Sequence, residues 1–406
     1  MGARLKPRGV GAGTAPASAG APHGDESGGV LSRRQATVWA AALLGGCALT
    51  PVHDPRLAQA VDARLQPLVD ARLFSGAVVL MRRGQLRVAR GWGQANRELG
   101  IAFTPQTPCD AASLAKNFTA AGVWLLVHEG RLSLEQPVQP LVPEYPHAGV
   151  TVAHLLWHGN GLAPDYGSFD RHFAPGQLRD TRALLRAAGL DAPVPAFAPG
   201  SRFAYSDLAY DALALVIERV SGQAYAAFVR QRFFQPHGLA QAFARPGWLA
   251  DWPGPRTRGY RFADGRWQDN DLFDGEAFLG GSNLHFSALD LARWGDAWAH
   301  ARVLPAAADR AGAERPVLGG QRSAIDALGW FAPPEGQARA GRAPAARSGH
   351  NTGNYNGFRA SLHWHRGRRE VVALVSNGSL PQAEGAALLW GLVGLLASHA
   401  PQPARA

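Results

Sequence analysis

DAASLAKNFTAAGVWLLVHEG, Asp110–Gly130, carries Lys116, one of only two lysines in a chain of 406 residues, the other being Lys6. Lys and Arg together number 41, so every remaining cation is an arginine. Arginine stays protonated under physiological conditions, whereas a lysine amine in a desolvated or electropositive site can release its proton and act as a base. Ser113 precedes Lys116 by three residues, and residues i and i+3 share a face of a helix, so hydroxyl and amine can meet there. A lone lysine on a solvated helix face is the plainer reading; the serine one turn away favours a nucleophile and its base.

The 46% apolar composition leaves ample material for a core, as one large domain or two medium ones. The 48 Gly and 29 Pro imply long loops, and 12 Trp with 17 Phe suit a large enclosed core or pocket. The formal charge of +10 would suit a nucleic-acid partner, but the arginines are spread singly and form no basic cluster interleaved with aromatics, so none is expected. The histidines, including His363 and His365 alternating along one stretch, show no metal-ligand spacing and suit a solvated or packing role; neither metal nor cofactor is expected.

Residues 1–30 are rich in Gly, Ala and Pro without apolar periodicity and are read as disordered. They precede SRRQATVWAAALLGGCALTP, in which Ser32, Arg33 and Arg34 form a twin-arginine region and Ala36 to Leu44 a short apolar run. The run is too short to span a membrane comfortably. Leu44-Gly45-Gly46-Cys47 resembles a bacterial lipobox, so the chain is expected to be exported, either periplasmic or membrane-anchored through a lipidated Cys47. An ordinary cleaved signal, with Cys47 incidental, is the alternative. No Met lies between Met1 and Met81, and a start near Val30 would give a leader of conventional length. Cys109 is the only other cysteine, so no disulfide framework is implied.

From residue 54 the pattern is that of a folded chain. Leu57, Val61, Leu65, Leu68 and Val69 line one helical stripe, and SGAVVLMRRGQLRVARGWG reads as two strands around the turn Arg83-Gly84. The chain then reads as largely helical from Ser113 to about Ala242, with loops near 137–150 and 159–200. GFRASLHWHRGRREVVALVSNG supplies a strand, a turn at Arg366-Gly367 and a buried strand, followed by an apolar helix from Glu384 to Ser398. Helix and strands at both ends around a helical middle predict one sheet closed by the two termini, and no internal repeat is visible.

Four segments taken in order carry a resemblance. AASLAKNFTAAGVWLLVHEGRLSLEQPV, VTVAHLLWHGNGLAP, PGSRFAYSDLAYDALALVIERVSGQAYAAFVRQRFFQPHGL and FLGGSNLHFSALDLARWGDAW are together similar to the serine β-lactamase-like hydrolases, which include class C lactamases, D-alanyl-D-alanine peptidases and related esterases. Their order and spacing over most of residues 72–395 are far more specific than a lone Ser-x-x-Lys. The resemblance implies an α+β fold of the β-lactamase/transpeptidase type: a five-stranded antiparallel sheet flanked by helices, an inserted all-α lobe over roughly 113–270, and a cleft between them. On this reading 54–398 is the catalytic domain, 1–53 the leader with its export signal and 399–406 a disordered tail.

A free hydroxyl is a poor nucleophile and needs an adjacent base. Ser113 is the candidate nucleophile, at a helix N-terminus where its own N–H can face a developing oxyanion. Lys116 can take the hydroxyl proton if its pKa is lowered. The resemblance implies that Tyr205, in YSD, is the tyrosine of a Tyr-x-Asn motif that shares proton transfer and protonates the leaving group. Asp207 stands where the family usually has Asn, and its carboxylate would pair with Lys116 and hold the ammonium charged.

The family's third motif, Lys-Thr-Gly or His-x-Gly, fits less well. In SGHNTGNYNGF, counting back from Gly357-Phe358 puts Asn351, Thr352 and Gly353 in the motif and His350 one position early. Strand alternation then turns His350 to the opposite face, unless a β-bulge restores it. The N–H of Asn354 would be the second oxyanion donor. His158 and Asn160 lie where the family has a His-x-Ser pair and are read as loop structure. Arg359, taken to lie on the same strand, is the cation that could still hold a substrate carboxylate. The reading is a serine hydrolase forming a covalent acyl-enzyme on a small ester, amide or peptide, closer to an esterase than to a β-lactamase or D-alanyl peptidase because no third-motif lysine exists. A catalytically silent cell-envelope binding module is the alternative from another class, motivated by Asp207 and the displaced His350.

Overall fold

The computed structural model describes residues 54–162, 167–252, 254–271, 275–331, 347–378 and 380–399; the leader, Cys47 and the last residues lie outside these. Ten elements frame the fold: α1 (Pro55–Asp70), β1 (Gly76–Arg82), β2 (Gln85–Trp92), α2 (Lys116–His128), α3 (Asp207–Ser221), α4 (Ala288–Ala299), β3 (Ser348–Tyr355), β4 (Phe358–His365), β5 (Glu370–Ser376) and α5 (Gln382–Ser398). The strands form one antiparallel sheet in the order β3-β4-β5-β1-β2. β1, from the start of the folded region, pairs with β5, from its end, from Gly76 opposite Ser376 to Arg82 opposite Glu370. The two ends of the folded region therefore close the sheet.

β1 is buried along its whole length, and its period of two divides it between two cores. Val78 and Leu80 pack with Leu57, Val61 and Leu65 of α1 and Leu388 and Leu392 of α5. Ala77, Val79 and Met81 join the larger cluster holding Trp294 and Trp298 of α4. A strand covered on both faces reads as a continuous apolar run, which is why GAVVLM shows no alternation. Asp54 caps α1 through a 3.1 Å bond from Leu57 N, with Pro55 at the first helical position. Leu68 and Val69 are only partly buried. Arg83 and Gly84, with φ of 54° and 75°, supply the two left-handed residues of a tight hairpin turn.

Between β2 and β3 the chain forms the helical region, in which α2 and α3 pack together with Val152–Leu156, Thr181–Asp191 and Tyr225–Val229. The helical region differs from the sequence-based expectation at two places. Thr181–Asp191 is a helix inside the stretch read as loop, started by Asp180, whose Oδ1 accepts from Ala183 N at 2.7 Å. The span 113–270 is also not all helical, because Tyr260–Ala263 and Arg266–Asp269 form a hairpin. By residue 260 the chain has returned to the sheet, where Tyr260 N donates to the Asn377 carbonyl at 2.9 Å. A three-stranded ribbon of Cys109–Asp110, Leu284–Phe286 and Phe243–Ala244 leads directly into the Ser113 turn.

Candidate active site

Ser113 lies in a short 3-10 turn, Ala112–Ala115, that runs into α2. Ala112, one residue before it, has φ 47°, a conformation that residues other than glycine adopt seldom and only where their surroundings hold them. Asp110 Oδ1 accepts from Ala112 N at 2.7 Å, and Leu114 N donates to Ala111 O at 3.1 Å. β3 presses on the same turn from the other side. A β-carbon placed at Gly353 would lie 2.0 Å from the Ala111 carbonyl oxygen, so only glycine lets the strand come this close.

Lys116 is buried one helical turn on, and its Nζ has an acceptor for each of its three protons: Ser113 Oγ at 3.2 Å, Asp207 Oδ1 at 2.5 Å and Gly281 O at 2.7 Å. The Tyr205 ring centre lies 5.0 Å away. Burial by itself would push the lysine pKa down. Asp207 and Tyr205, through charge and hydrogen bonds, outweigh it and hold the ammonium well above the ordinary lysine value. A lysine freed by desolvation to take the Ser113 proton is therefore not the resting state; Asp207, the first residue of α3, keeps it charged.

His158 positions Tyr205. Its imidazole stacks on the Tyr205 ring at 4.5 Å with 21° between planes, and Tyr210 covers it at 4.9 Å. His158 Nδ1 accepts from Ser206 N at 3.1 Å and its carbonyl from Ala204 N at 2.8 Å, so one residue ties down the backbone on both sides of Tyr205. Burial, then the nearby Lys116 charge, pushes the imidazole down to about 3, and it stays neutral. Its reading as loop structure missed this role, which no local pattern signals because Tyr205 is distant in sequence. Asn160 does act within its loop, with Oδ1 accepting from Leu162 N at 2.7 Å.

The third-motif residues divide between the two faces of β3. β3 pairs with β4 in unbroken register from Ser348 opposite His365 to Tyr355 opposite Phe358, so no bulge brings His350 round. His350 turns toward Trp390 of α5, 5.0 Å away, and burial lowers its pKa to about 4. It is not in the site. Asn351 is buried against α2, its Nδ2 donating to Asn117 Oδ1 and Gly329 O, each at 3.0 Å. Its Oδ1 takes the N–H of Thr352 at 2.7 Å, which removes that donor from the cleft. The His350 backbone bonds Phe331 across the outer edge of the sheet, at 2.9 and 3.3 Å. Alternation by two brings the Asn354 N–H to that same edge, next to the Ser113 turn that Gly353 touches. Arg359 lies on β4, not β3. Its Nε donates to Leu380 O at 3.1 Å, and its guanidinium packs against Gly385 of α5, so it cannot reach a ligand in the cleft.

One family profile, beta-lactamase, matches residues 58–394, a span that contains Ser113, Lys116, Tyr205 and Gly353. The chain belongs to the beta-lactamase family. Among its relatives are a penicillin-binding protein of Bacillus subtilis (strain 168), 33% identical over 180 residues, 43% of this chain and 39% of that protein, and Esterase EstB of Burkholderia gladioli, 36% identical over 198 residues, 45% of this chain and 50% of that protein. The match thus spans half or less of either relative's length. A class C beta-lactamase structure superposes with a TM-score of 0.66 at 20% identity, covering 86% of this chain and 98% of that one, a likeness of fold. This family member has an α+β fold, and its family comprises serine hydrolases. In this chain Lys116 is paired with Asp207, and the other two basic residues read toward the site, His350 and Arg359, face α5.

Proposed function

We propose that this protein is a serine hydrolase that is acylated on Ser113 and turns over small neutral esters. The observation that carries the reading is the single ammonium of Lys116 in contact with both Ser113 Oγ and Asp207, with the Tyr205 ring centre 5.0 Å away. Because Lys116 donates to Ser113 Oγ, the hydroxyl proton of Ser113 is left to leave in another direction. The reactive form of the Lys116–Tyr205–Asp207 cluster carries one proton fewer than the resting form. As Oγ bonds to the acyl carbon, the Ser113 proton passes into that vacancy, and the carbonyl oxygen becomes an oxyanion facing the N–H groups of Ser113 and Asn354. The proton returns through Tyr205 to the leaving oxygen as the C–O bond breaks, and water repeats the sequence on the acyl-enzyme.

The pairing of Lys116 with Asp207 and the turn of His350 and Arg359 toward α5 support the ester over substrates held by a carboxylate. Phe203, more than a third exposed and edge-on to His158 at 5.6 Å, gives an apolar leaving group a surface near Tyr205. Intact-mass measurement after a fluorophosphonate tests the acylation: wild type gains one adduct, and Ser113→Ala gains none. Parallel assays of p-nitrophenyl butyrate and a chromogenic cephalosporin, each set against its uncatalysed rate, test the substrate. The ester is expected to lead by at least about tenfold in kcat/KM, or about 1.4 kcal/mol in transition-state binding. A cephalosporin that matches it moves the protein to the lactamase or peptidase side of the family. The second reading, a silent envelope-binding member, draws on the full engagement of the Lys116 protons, and absence of any Ser113 adduct would select it.

A further inference from the structure

Ser113 is the second residue of a helical segment that starts at Ala112 and whose first N–H groups lack intrahelical acceptors, and such groups are usually claimed by caps or water. Its neighbours are claimed. Ala111 N donates to Leu284 O at 3.0 Å, Ala112 N to Asp110 Oδ1 at 2.7 Å and Leu114 N to Ala111 O at 3.1 Å. Among the described residues the N–H of Ser113 donates to no protein acceptor. The one side chain in this pattern is Asp110, which is fully buried and reaches over Ala111 to the left-handed Ala112.

We infer that Asp110 is a positioning residue for the oxyanion pocket: its carboxyl claims the Ala112 N–H, holds Ala112 in the left-handed conformation, and thereby aims the Ser113 N–H and hydroxyl into the cleft. The inference rests on the reading of Ser113 as the nucleophile and names what sets its geometry. A left-handed alanine is strained and persists only where its surroundings over-determine it. Two contacts supply that here: the Asp110 cap from below and Gly353 of β3, seated against the Ala111 carbonyl. A short strand pairing, Asp110 opposite His285, fixes the capping residue itself.

The surroundings of Asp110 show that the cap is kept despite its cost. Oδ2 is buried with no protein partner among the described residues, which is unfavourable for a carboxyl group. Burial raises its pKa to about 6; Arg245 opposes the rise, while Asp271 and Glu276 add to it. Arg245 is itself committed to the Glu276 carbonyl at 2.9 Å. The cap needs only an acceptor oxygen at Oδ1, so Asn, which keeps one, should replace Asp110 far better than a residue with none.

Steady-state kinetics of Asp110→Asn, Asp110→Ala and Ala112→Gly with p-nitrophenyl butyrate test this, alongside thermal melts. Loss of an oxyanion-hole donor costs about 10²–10³ in kcat, so Asp110→Ala is expected to lose about 10² in kcat while KM moves less than about threefold. Asp110→Asn is expected to keep kcat within about threefold, since the acceptor remains. Glycine adopts the left-handed conformation without a cap, so Asp110→Ala should lose less kcat in the Ala112→Gly background than in the wild-type one. A merely structural role would lower Tm in Asp110→Ala and leave kcat per folded molecule untouched, and that result overturns the inference. So does a more than tenfold loss of kcat in Asp110→Asn, which holds the test even if Asp110→Ala does not fold. Failure of the nucleophile reading shows separately, as wild-type turnover that survives Ser113→Ala.

Discussion

Replacing Asp207 with Asn should shift the pH at which the site switches on. The carboxylate lies 2.5 Å from Lys116 Nζ and is 24% exposed, while the lysine is 3% exposed. Unit charges 4 Å apart attract by about 4 kcal/mol at an effective dielectric of 20, which corresponds to about 3 pKa units. Partial exposure of the carboxylate roughly halves this, leaving a shift of about 1–2 units. The sign follows from the direction at Lys116: Asp207 favours the protonated cluster, so its removal lets the proton leave at lower pH. With the carboxylate gone, the remaining dominant influence on Lys116 is burial, which also favours the neutral amine. The acid limb of kcat/KM should therefore lie well into the alkaline range in wild type and move down by about 1–2 pH units in Asp207→Asn. At pH 7 the variant should be faster by about tenfold or more, since each unit below the limb is a factor of ten in reactive form. Loss of the acid group from the first turn of α3 costs about 0.3–1 kcal/mol and loss of its attraction for Lys116 about 1.4–2.7 kcal/mol more, so a thermal melt accompanies the kinetics. The assay is kcat/KM for p-nitrophenyl butyrate across pH 5.5–10, corrected for background hydrolysis. An unmoved limb, or a large fall in the alkaline plateau, would refute the reasoning and give the carboxylate a catalytic task of its own.

Lys116→Arg should be nearly as inactive as Lys116→Ala, because three acceptors within 3.2 Å enclose one ammonium and leave a planar guanidinium no place; full activity would show that any fixed cation suffices. Gly353→Ala should lower stability by about 1–3 kcal/mol and reduce the rate of Ser113 labelling, since its methyl would collide with the Ala111 backbone; an unchanged melt would mean that β3 and the turn can part without cost. His158→Ala should lower kcat by about tenfold with the pH profile unmoved, as the lost ring is neutral; a shifted limb would assign His158 a proton of its own. The proposed address through Cys47 predicts that Cys47→Ala releases a membrane-associated chain into the soluble fraction, and quantitative recovery of the wild type in that fraction would refute it.

The features readable from the chain are those set over short sequence distances. The contact of Ser113 with Lys116 follows from helical spacing, the buried strand GAVVLM from its unbroken apolar run, and the outward turn of His350 from counting by two along β3. The helix Thr181–Asp191 carried such signals as well, in the Asp180 cap and the stripe Leu184, Leu185 and Ala188, and its glycine- and proline-rich flanks obscured it. What tertiary structure alone decided is the state and aim of these groups. The charge of Lys116 depends on a carboxylate 91 positions away and a carbonyl 165 positions away. Tyr205 is held by a histidine 47 residues earlier in the chain, Arg359 is drawn to Leu380 on the face away from the cleft, and Gly353 reads as a strand glycine until β3 is seated on Ala111. Periodicity records which face a side chain takes, because that is fixed by the backbone repeat; proton affinity and the direction of an N–H depend on what the fold brings against them from elsewhere in the chain.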